Sequence, residues 1–413
     1  MTTTAPFRSP VSRSTRLLSG DGHDLARHAA RFGPRPRCGP HLIDAVAAAG
    51  LRGRGGAGFP AARKMAAVAA GRRCVLIANA SEGEPLSRKD AALLHSSPHL
   101  VLDGMAAVAD AIGAHESYLY VRQHMVAPLR RLIDERRTTG WDPTDITVVE
   151  APERFVAGEK TAVIAAVGGR AAIPSDSVTS TSVSGLRGRP TLVQNVETLA
   201  HIATIARRGP DWFREVGTPD EPGTMLITLT GTNRNPEVRE VPIGVPLYSV
   251  LNPVAGEPGR FRAVLVGGYH GTWHGTDQLS GQTLSRWSLS TLGASPGAGV
   301  IHTLDSGSCG VSATARIVEY LARESAGQCG PCLNGLPRLA ESMAILARGR
   351  CGADVITDIR RFAGLVDGRG ACHHPDGTAR LVRSALTTFA RDVEFHLRGR
   401  CEAGHLTQQR RIT

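Results

Sequence analysis

The spacing of the apolar residues changes along the chain and divides it into parts. Between residues 20 and 50, HDLARHAARF and HLIDAVAAAG have the spacing of amphipathic helices, and Gly50 is a typical helix stop. From about 70 to 235, short runs typical of strands (CVLIANA, SYLYV, DITVVEA, MLITLTG) alternate with helical stretches (MVAPLRRLIDERR, TAVIAAVGG). Strands separated by helices predict an α/β layer with a mainly parallel sheet.

The pattern changes twice more towards the carboxyl end. The segments EVPIGVPLYSVL, FRAVLVGGY and GVIHTL predict a small β-rich module with many turns. After residue 310 the long runs SATARIVEYLARES, LPRLAESMAILARG and TARLVRSALTTFARDVEFHL predict a helical bundle. The predicted units are a disordered tail over 1–21, an α/β domain over 22–235, the β-rich module over 236–305, the helical domain over 306–400 and a tail over 401–413.

The basic residues are very unevenly chosen, with 45 Arg against 3 Lys at a net charge of +11. No run of five or six like charges occurs and aromatic residues make up only 4%, which argues against a nucleic-acid-binding protein. No apolar run approaches the length of a membrane span, so we expect no direct membrane insertion. In such a chain each lysine (Lys64, Lys89 and Lys160) marks a place where a compact ammonium is preferred to a guanidinium.

The cysteines predict a metal or redox site. The chain has eight, too few for a secreted disulfide scaffold, and six fall in the last quarter: Cys309, Cys329, Cys332, Cys351, Cys372 and Cys401. Such usage favours a reducing compartment, and we expect a cytoplasmic protein. In ESAGQCGPCLNG, Cys329 and Cys332 have the C-x2-C spacing of an iron–sulfur site, but Ala326 stands where a third cysteine would complete the pattern.

A glycine-rich loop, RGRGGAGF, lies at 52–59. Such backbone turns sharply and offers N–H groups to a phosphate, and Arg54 and Lys64 would add positive charge. The loop follows a helix rather than a strand, so it is not the dinucleotide-binding fingerprint. On this segment alone, a flexible surface turn is the alternative.

Taken in order, these segments resemble the flavin-bearing F subunit of the NADH dehydrogenase module of respiratory complex I (NADH-quinone oxidoreductase). GRGGAGFP with the following Lys64 is similar to its flavin-phosphate loop, NASEGEP at 79–85 to NADEGEP, FVAGEKTAV at 155–163 to YICGEETAL, and PTLVQNVETLA at 190–200 to PTVVNNVETLA. ESAGQCGPC at 324–332 is similar to ESCGQCTPC, and Cys372 matches the distant fourth cysteine. The resemblance covers about residues 22 to 400.

The resemblance implies a Rossmann-like α/β FMN domain, a ubiquitin-like β-rich module and a C-terminal helical bundle with the cysteine site. It implies an NAD(P)H:acceptor oxidoreductase subunit that moves a hydride to FMN and single electrons to a 4Fe–4S cluster, with a small iron–sulfur protein as partner. The residues carried over for FMN are Gly53, Arg54, Gly55, Gly56, Lys64, Asn79, Glu82, Gly158, Glu159 and Asn195. Phe59 and Glu84 match nicotinamide contacts, and Cys329, Cys332 and Cys372 match cluster ligands.

The nicotinamide site departs further from the family than the flavin site does. Lys160 replaces the second Glu of GEE, which would suit the additional phosphate of NADPH or another anion. Met65 and Ala67 replace aromatic residues, and PSDSVTSTS at 174–182 replaces RLKPPFP. The alternative function is therefore a non-catalytic FMN-binding paralogue or assembly subunit with a degenerate nicotinamide pocket.

The cysteine site also has open alternatives. An iron–sulfur cluster could be held by three thiolates, with Cys309 or Cys351 as a substitute for the missing ligand. His373 and His374, directly after Cys372, suggest zinc with Cys3His ligation, and the C-x2-C pair could be a redox dithiol or a vestigial site. Taken singly, Cys309, Cys351 and Cys401 are expected to be ordinary thiols, as are Cys38 and Cys74.

Overall fold

The computed structural model describes residues 15–18, 20, 22–142, 145–176, 179–231, 235–255, 261–349 and 351–403, without the side chains of 252–255. Most of the two predicted tails therefore lies outside the described residues. Residues 15–18, however, pack on the protein. Leu17 is fully buried and its N–H donates to Glu240 Oε2 at 2.8 Å, while the guanidinium of Arg16 donates to the carbonyl of Trp212 at 2.9 Å. The tail prediction missed this anchored segment.

The first part of the chain is an α/β unit. Its helices are α1 (Leu25–Phe32), α2 (His41–Ala49), α3 (Ala61–Ala69), α4 (Lys89–Ser96), α5 (Pro98–Ile112), α6 (Gln123–Thr138), α7 (Lys160–Val167) and α8 (Val196–Arg214), and its strands are β1 (Cys74–Ala80), β2 (Ala114–Arg122), β3 (Ile146–Ala151) and β4 (Thr191–Asn195). The strands form a parallel sheet in the order β3-β2-β1-β4. The prediction of an α/β fold with a parallel sheet is confirmed.

Successive side chains of β1 point to opposite faces of the sheet and are buried on both. Leu76 and Ala78 point into a core shared with α2, α3, α5 and α8, whereas Val75 and Ile77 point to the opposite face, where Val163 of α7 packs. All four β1 side chains are buried, as expected for a central parallel strand.

The helices under the sheet pack very closely at one point. A Cβ on Gly104 of α5 would lie 2.0 Å from the carbonyl oxygen of Leu199 in α8, so only glycine permits this contact. Because α8 begins at Val196, directly after Asn195 at the end of β4, the close packing fixes the position of the carboxyl end of that strand.

The middle of the chain forms a second, mixed sheet. It contains β5 (Thr224–Gly231), β6 (Glu237–Pro242), β7 (Phe261–Val266), β8 (Thr272–Gly275) and β9 (Val300–Asp305), with α9 (Leu247–Ala255) and α10 (Arg286–Ser290). The strand order is β6-β5-β9-β7-β8, and β5 pairs with β9 in parallel. The strand predicted at MLITLTG thus forms, but in the second sheet and ahead of the predicted boundary at residue 236. The segment LYSVL, predicted as part of a β-rich run, begins α9.

The carboxyl-terminal part is a bundle of α11 (Gly310–Arg323), α12 (Leu336–Arg348), α13 (Asp354–Val366), α14 (His374–Thr388) and α15 (Ala390–Leu397). Its core continues into one face of the second sheet, where Leu265 and Trp273 pack against it. The other face of that sheet buries Val264 and Val266 in a separate core with Leu247 of α9. The predicted helical bundle is confirmed. No described helix has the length and apolar character needed to cross a membrane.

Candidate functional site

A cavity of about 310 Å³ lies at the carboxyl ends of β1 and β4. Asn79 near the end of β1 and Asn195 at the end of β4 both line it. In the sheet, the chain leaves β1 for β2 on one side, while β4 lies on the other side. Open parallel sheets bind ligands at such a switch in strand order, outside the carboxyl ends of the strands.

The loop after β1 forms one wall of the cavity. Glu82 has a φ of +46° and its carboxylate accepts from the Asp90 N–H at 3.0 Å and from the Ala91 N–H at 3.2 Å, at the start of α4. Arg122 at the end of β2 donates to the carbonyl oxygens of Ser81, at 2.9 Å, and of Glu82. Two neighbouring strands therefore hold this loop in place.

A buried charge cluster lies beneath that wall. The ammonium of Lys89 is 2.6 Å from Asp90 Oδ1, 2.9 Å from Glu197 Oε2 and 3.4 Å from Asn195 Oδ1. Burial acts to lower the pKa of Lys89, but the two carboxylates outweigh it and raise that pKa. Lys89 is therefore a fixed positive charge beside the cavity. The sequence marked this lysine as unusual without giving it a role.

Glu84 connects the loop to the second sheet. Its Oε2 accepts from the Tyr269 N–H at 2.8 Å, and a Cβ on Gly268 (φ +86°) would lie 2.5 Å from the same oxygen. Burial raises the pKa of Glu84 to about 7, against the hydrogen bonds from Tyr269 and Leu86. The cavity therefore contains a carboxyl group that can hold or release a proton near neutral pH.

Three aromatic rings close the side of the cavity that faces the helical bundle. The Phe155 ring centroid is 4.6 Å from that of His270 and 5.3 Å from that of His374, and all three residues line the cavity. His374 Nε2 lies 2.8 Å from the Leu321 carbonyl, so it carries the proton, and Nδ1 faces His270 Nε2 at 3.1 Å. Burial lowers the pKa of both histidines, so they form an uncharged wall.

The structure brings most of the predicted site residues together. The first cavity, at the carboxyl ends of β1 and β4, is lined by Gly55, Asn79, Glu82, Glu84, Gly158, Glu159, Asn195 and Cys372, and Gly56 lines a second cavity of about 510 Å³. The two cavities share Gly55, Glu84, Phe155, His270 and Ala298. Gly53, Arg54, Phe59 and Lys64 are outside the lining of both. Sequence reasoning missed Lys89, Asp90, Phe155 and His270, because separate segments bring them to the cavity.

Arg54 and Lys64, the two cations predicted to bind a phosphate, differ from each other in their surroundings. The guanidinium of Arg54 is turned to the buried Glu197, at 3.9 Å, and to the carbonyl of Pro222, at 3.3 Å. Lys64 is near Lys160: burial first, and the charge of Lys160 second, lower its pKa. Among the described residues, no carboxylate oxygen lies within 4.0 Å of the ammonium group of Lys64 or of Lys160. These two lysines therefore leave positive charge available to an anion. Phe59 is 45% exposed.

The predicted cluster ligands converge beside the same cavity. Cys329 Sγ and Cys332 Sγ are 3.7 Å apart at the start of the segment leading into α12, and Cys332 is only 3% exposed. Burial opposes ionisation of Cys329, but hydrogen bonds from the N–H groups of Ala371 and Cys332 outweigh it and lower its pKa. Cys372 follows Ala371 directly, and burial together with repulsion from Cys332 raises its pKa.

Cys309 and the two histidines offered as further ligands have other partners. Both ring nitrogens of His374 are used, as described above, and the exposed side chain of His373 pairs with Asp376 at 2.9 Å. Cys309 contacts His396 at 3.2 Å. Zinc ligation by Cys3His at this site therefore finds no support in the histidine geometry.

Comparison with known proteins places these features in one family. Residues 46–204 match the Nuo51 FMN-binding domain, and residues 312–396 match the NADH-ubiquinone oxidoreductase-F iron–sulfur binding region. The second NADH-quinone oxidoreductase F subunit of Rhizobium meliloti (strain 1021) is 32% identical over 405 residues, which cover 92% of this chain and 96% of the relative. The chain belongs to the family of NADH-quinone oxidoreductase F subunits. The recognition made from the motifs is confirmed.

Other relatives of this F-subunit chain belong to hydrogenases. The NADP-reducing hydrogenase subunit HndC of Solidesulfovibrio fructosivorans is 31% identical over 375 residues, covering 86% of this chain and 76% of that protein. The crystal structure of an NAD⁺-reducing [NiFe]-hydrogenase in the H2-reduced state has 30% identity and a TM-score of 0.79, covering 90% of this chain and 66% of that one. HndC is itself named as one subunit of its hydrogenase.

The residues of this F-subunit chain fit both groups that the family binds. For FMN, the cavity falls in the usual volume range of cofactor sites and is narrowed by close backbone contacts. A Cβ on Gly83 would lie 2.4 Å from the Phe155 carbonyl oxygen, and one on Gly158 would lie 2.8 Å from Ser81 Oγ. For the iron–sulfur cluster, Cys329, Cys332 and Cys372 supply soft thiolate donors.

Proposed function

We propose that this chain is an electron-entry subunit that takes a hydride from NAD(P)H onto FMN and passes single electrons to a 4Fe–4S cluster. One observation carries the proposal: Cys372 lines the cavity formed by Asn79, Gly158 and Asn195, and Cys332 and Cys329 are near enough to add to the burial that raises its pKa. A flavin in this cavity would therefore lie next to the thiolates. FMN supplies the conversion between a two-electron donor and a one-electron acceptor.

The protein side chains hold charge and exclude water at this site. Lys89 places a fixed positive charge beside the cavity, which stabilises negative charge on a bound group. Glu84, with a pKa of about 7, can hold a proton at the border of the two cavities. Phe155, His270 and His374 pack against one another on the bundle side of the cavity and line it with uncharged rings, which limits the room for water there.

The second cavity is the proposed entry for the dinucleotide. It is about 510 Å³ in volume, shares Glu84 with the first cavity and contains two guanidinium groups, Arg286 and Arg380. Cationic groups at the mouth of a concave site favour an anionic ligand such as a pyrophosphate. Lys160, beside Lys64, adds positive charge near the first cavity and supports use of NADPH as well as NADH.

The cluster is proposed to be held by Cys329, Cys332 and Cys372, with the iron that Ala326 leaves without a thiolate open to water. The partner would be a small iron–sulfur protein or subunit that accepts electrons one at a time. The cysteine usage supports a cytoplasmic location, which is part of this proposal.

Purification under anaerobic conditions, with FMN added during reconstitution, tests the proposal. We expect a yellow protein with about one FMN per chain, whose flavin absorption is bleached by NADH or NADPH within the mixing time. In Cys332→Ser the bleaching should persist, because the flavin site is intact, while bound iron and the broad visible absorption should fall. Absorbance, FMN content and iron content are the measurements.

Cys351→Ser is the matched control, since this thiol is in the same helical part but outside the proposed ligand set, and it should keep its iron. A yellow protein that neither nucleotide bleaches would instead identify a non-catalytic flavin-binding paralogue. Zinc in place of iron, or iron unchanged by Cys332→Ser, would contradict the cluster assignment.

A further inference from the structure

A second group of metal-ligating side chains lies at the other end of α11 from the cysteines described above. Cys309, His396 and Cys401 bring one sulfur, one ring nitrogen and one sulfur within 4.8 Å of one another. Cys309 and His396 are 87 positions apart in sequence, and Cys401 follows α15. The chain therefore returns to bring these three groups together, and α11, with 14 residues, separates them from Cys329 by about 21 Å of helix.

The histidine is already oriented as a ligand. His396 Nδ1 is 3.0 Å from the carbonyl oxygen of Leu346, which can only accept, so Nδ1 carries the proton. In a neutral imidazole this leaves the lone pair on Nε2, and Nε2 faces Cys309 Sγ at 3.2 Å. A backbone carbonyl that fixes the far nitrogen is the usual outer partner of a metal-bound histidine. His396 is 3% exposed, so solvent does not compete for this arrangement.

The first sulfur lies at the amino end of a helix. Cys309 is the N-cap of α11, and its Sγ accepts from the N–H of Ser312 at 3.4 Å. The amino end of a helix carries partial positive charge, which suits the negative charge of a metal-bound thiolate. Cys401 adds a second sulfur from the segment after α15, and both cysteines are partly exposed, which gives an ion a path from solvent.

We propose that Cys309, His396 and Cys401 form a Zn²⁺ site, separate from the iron–sulfur ligands. Zn–S bonds of about 2.3 Å and Zn–N bonds of about 2.0 Å require edges of about 3.5 Å for S to N and about 3.8 Å for S to S in a tetrahedron. The 3.2 Å between Cys309 Sγ and His396 Nε2 and the 4.8 Å limit on all three ligand atoms bracket these lengths, so binding needs only small movements. Two sulfurs and one imidazole nitrogen are donors that Zn²⁺ prefers, and water completes the tetrahedron.

The zinc site would cross-link separate segments at the end of the helical part. It joins the start of α11 to the last helix, α15, and to the residues that follow it, and no disulfide links these segments because both cysteines are free. Metal binding to the folded state alone contributes its binding free energy to stability. Removal of zinc should therefore loosen α15 without affecting the flavin cavity, which lies at the other end of α11.

The test is the metal content of the full chain, purified anaerobically under reducing conditions and measured for zinc and iron together. We expect about one zinc per chain in the wild type. Cys401→Ser and Cys309→Ser should lose the zinc and keep the iron, whereas Cys332→Ser should lose iron and keep the zinc. Cys351→Ser, a nearby cysteine outside both sets, should keep both metals. This crossed pattern separates failure of the zinc site from failure of the cluster.

A second measurement does not depend on the variants folding normally. Zinc-free wild-type protein titrated with Co²⁺ should develop thiolate-to-cobalt charge transfer and intense tetrahedral d–d bands, and Cys401→Ser should show neither. FMN content and far-ultraviolet circular dichroism establish that the variant is folded. Three results would overturn the proposal: wild-type protein that holds no zinc and takes up no Co²⁺, zinc that both cysteine variants retain, or a disulfide between Cys309 and Cys401 in the reduced preparation.

Discussion

Replacing Lys89 by Met removes the positive charge under the flavin cavity while keeping the length of the side chain. In the folded protein the ammonium lies 2.6 Å from Asp90 and 2.9 Å from Glu197, and Lys89 and Glu197 are 3% and 1% exposed. Removing one partner of such a buried pair leaves a carboxylate without compensation and costs about 3–5 kcal/mol. Arg54, at 3.9 Å from Glu197, compensates only in part, so we expect a loss of about 3 kcal/mol.

Urea unfolding of the FMN-free chain near pH 7.5, followed by circular dichroism, measures this loss. Lys160→Met is the matched control: Lys160 is exposed, with no carboxylate within 4.0 Å among the described residues, so its removal should change the free energy of unfolding by less than about 0.5 kcal/mol. The two variants make the same chemical change to the side chain. The difference between them therefore isolates the effect of the buried carboxylates.

The loss should also depend on pH in a defined direction. Burial already raises the pKa of Glu197, and Lys89 opposes that rise, so Lys89→Met raises the pKa of Glu197 further. The folded variant then binds a proton that the unfolded chain releases, and its stability recovers as the pH falls. A loss below about 1 kcal/mol, or one that does not shrink between about pH 8 and pH 5, would refute the reasoning that Lys89 neutralises these carboxylates.

Three further changes test other parts of the site. The raised pKa of Glu84 means that the folded protein holds a proton that the unfolded chain loses from about pH 4.5 upwards, so wild-type stability should fall by about 3 kcal/mol between about pH 4 and pH 7.5. Glu84→Gln should remove that slope in urea unfolding. Lys160→Glu should change the ratio of the kcat/KM value for NADH to that for NADPH by about five-fold in favour of NADH. This factor corresponds to an exposed charge interaction of about 1 kcal/mol. An unchanged ratio would exclude Lys160 from nucleotide selection. Ala326→Cys restores C-x2-C-x2-C and should slow the loss of iron to a chelator, and equal rates would show that the fourth iron is not open at this position.

The fold was predictable where the sequence pattern is local. The strand CVLIANA and the helix ending at Gly50 form as predicted, because a short continuous apolar run and a positive φ of 69° at that glycine are properties of short segments. The strand at MLITLTG was also predicted, but its sheet was not. Its partners β6 and β9 begin at Glu237 and Val300, and nothing in the strand itself specifies them.

The candidate site shows the same division. Residues in family motifs, such as Asn79 and Glu159, line the cavity because each motif follows the end of a strand or opens a helix. His270 and Phe155 reach it from the turn after β7 and the segment after β3, and their contact depends on packing between the second sheet and the α/β unit. The pairing of Cys309 with His396 was equally hidden, since single cysteines carry no information about a partner 87 positions away.

The departures from the family pattern are compatible with the site that the structure contains. Ala326 removes one thiolate, but the sulfurs that remain are supported by the backbone: N–H groups of Ala371 and Cys332 lower the pKa of Cys329, and Cys332 is buried. Lys160 removes one carboxylate beside the cavity, but Glu159 next to it keeps its role at the start of α7, accepting from the Thr161 N–H at 2.7 Å. Each substitution changes the charge at one position and leaves the neighbouring backbone contacts in place. Under the proposed function, the flavin cavity and the three remaining thiolates therefore stay next to each other despite both substitutions.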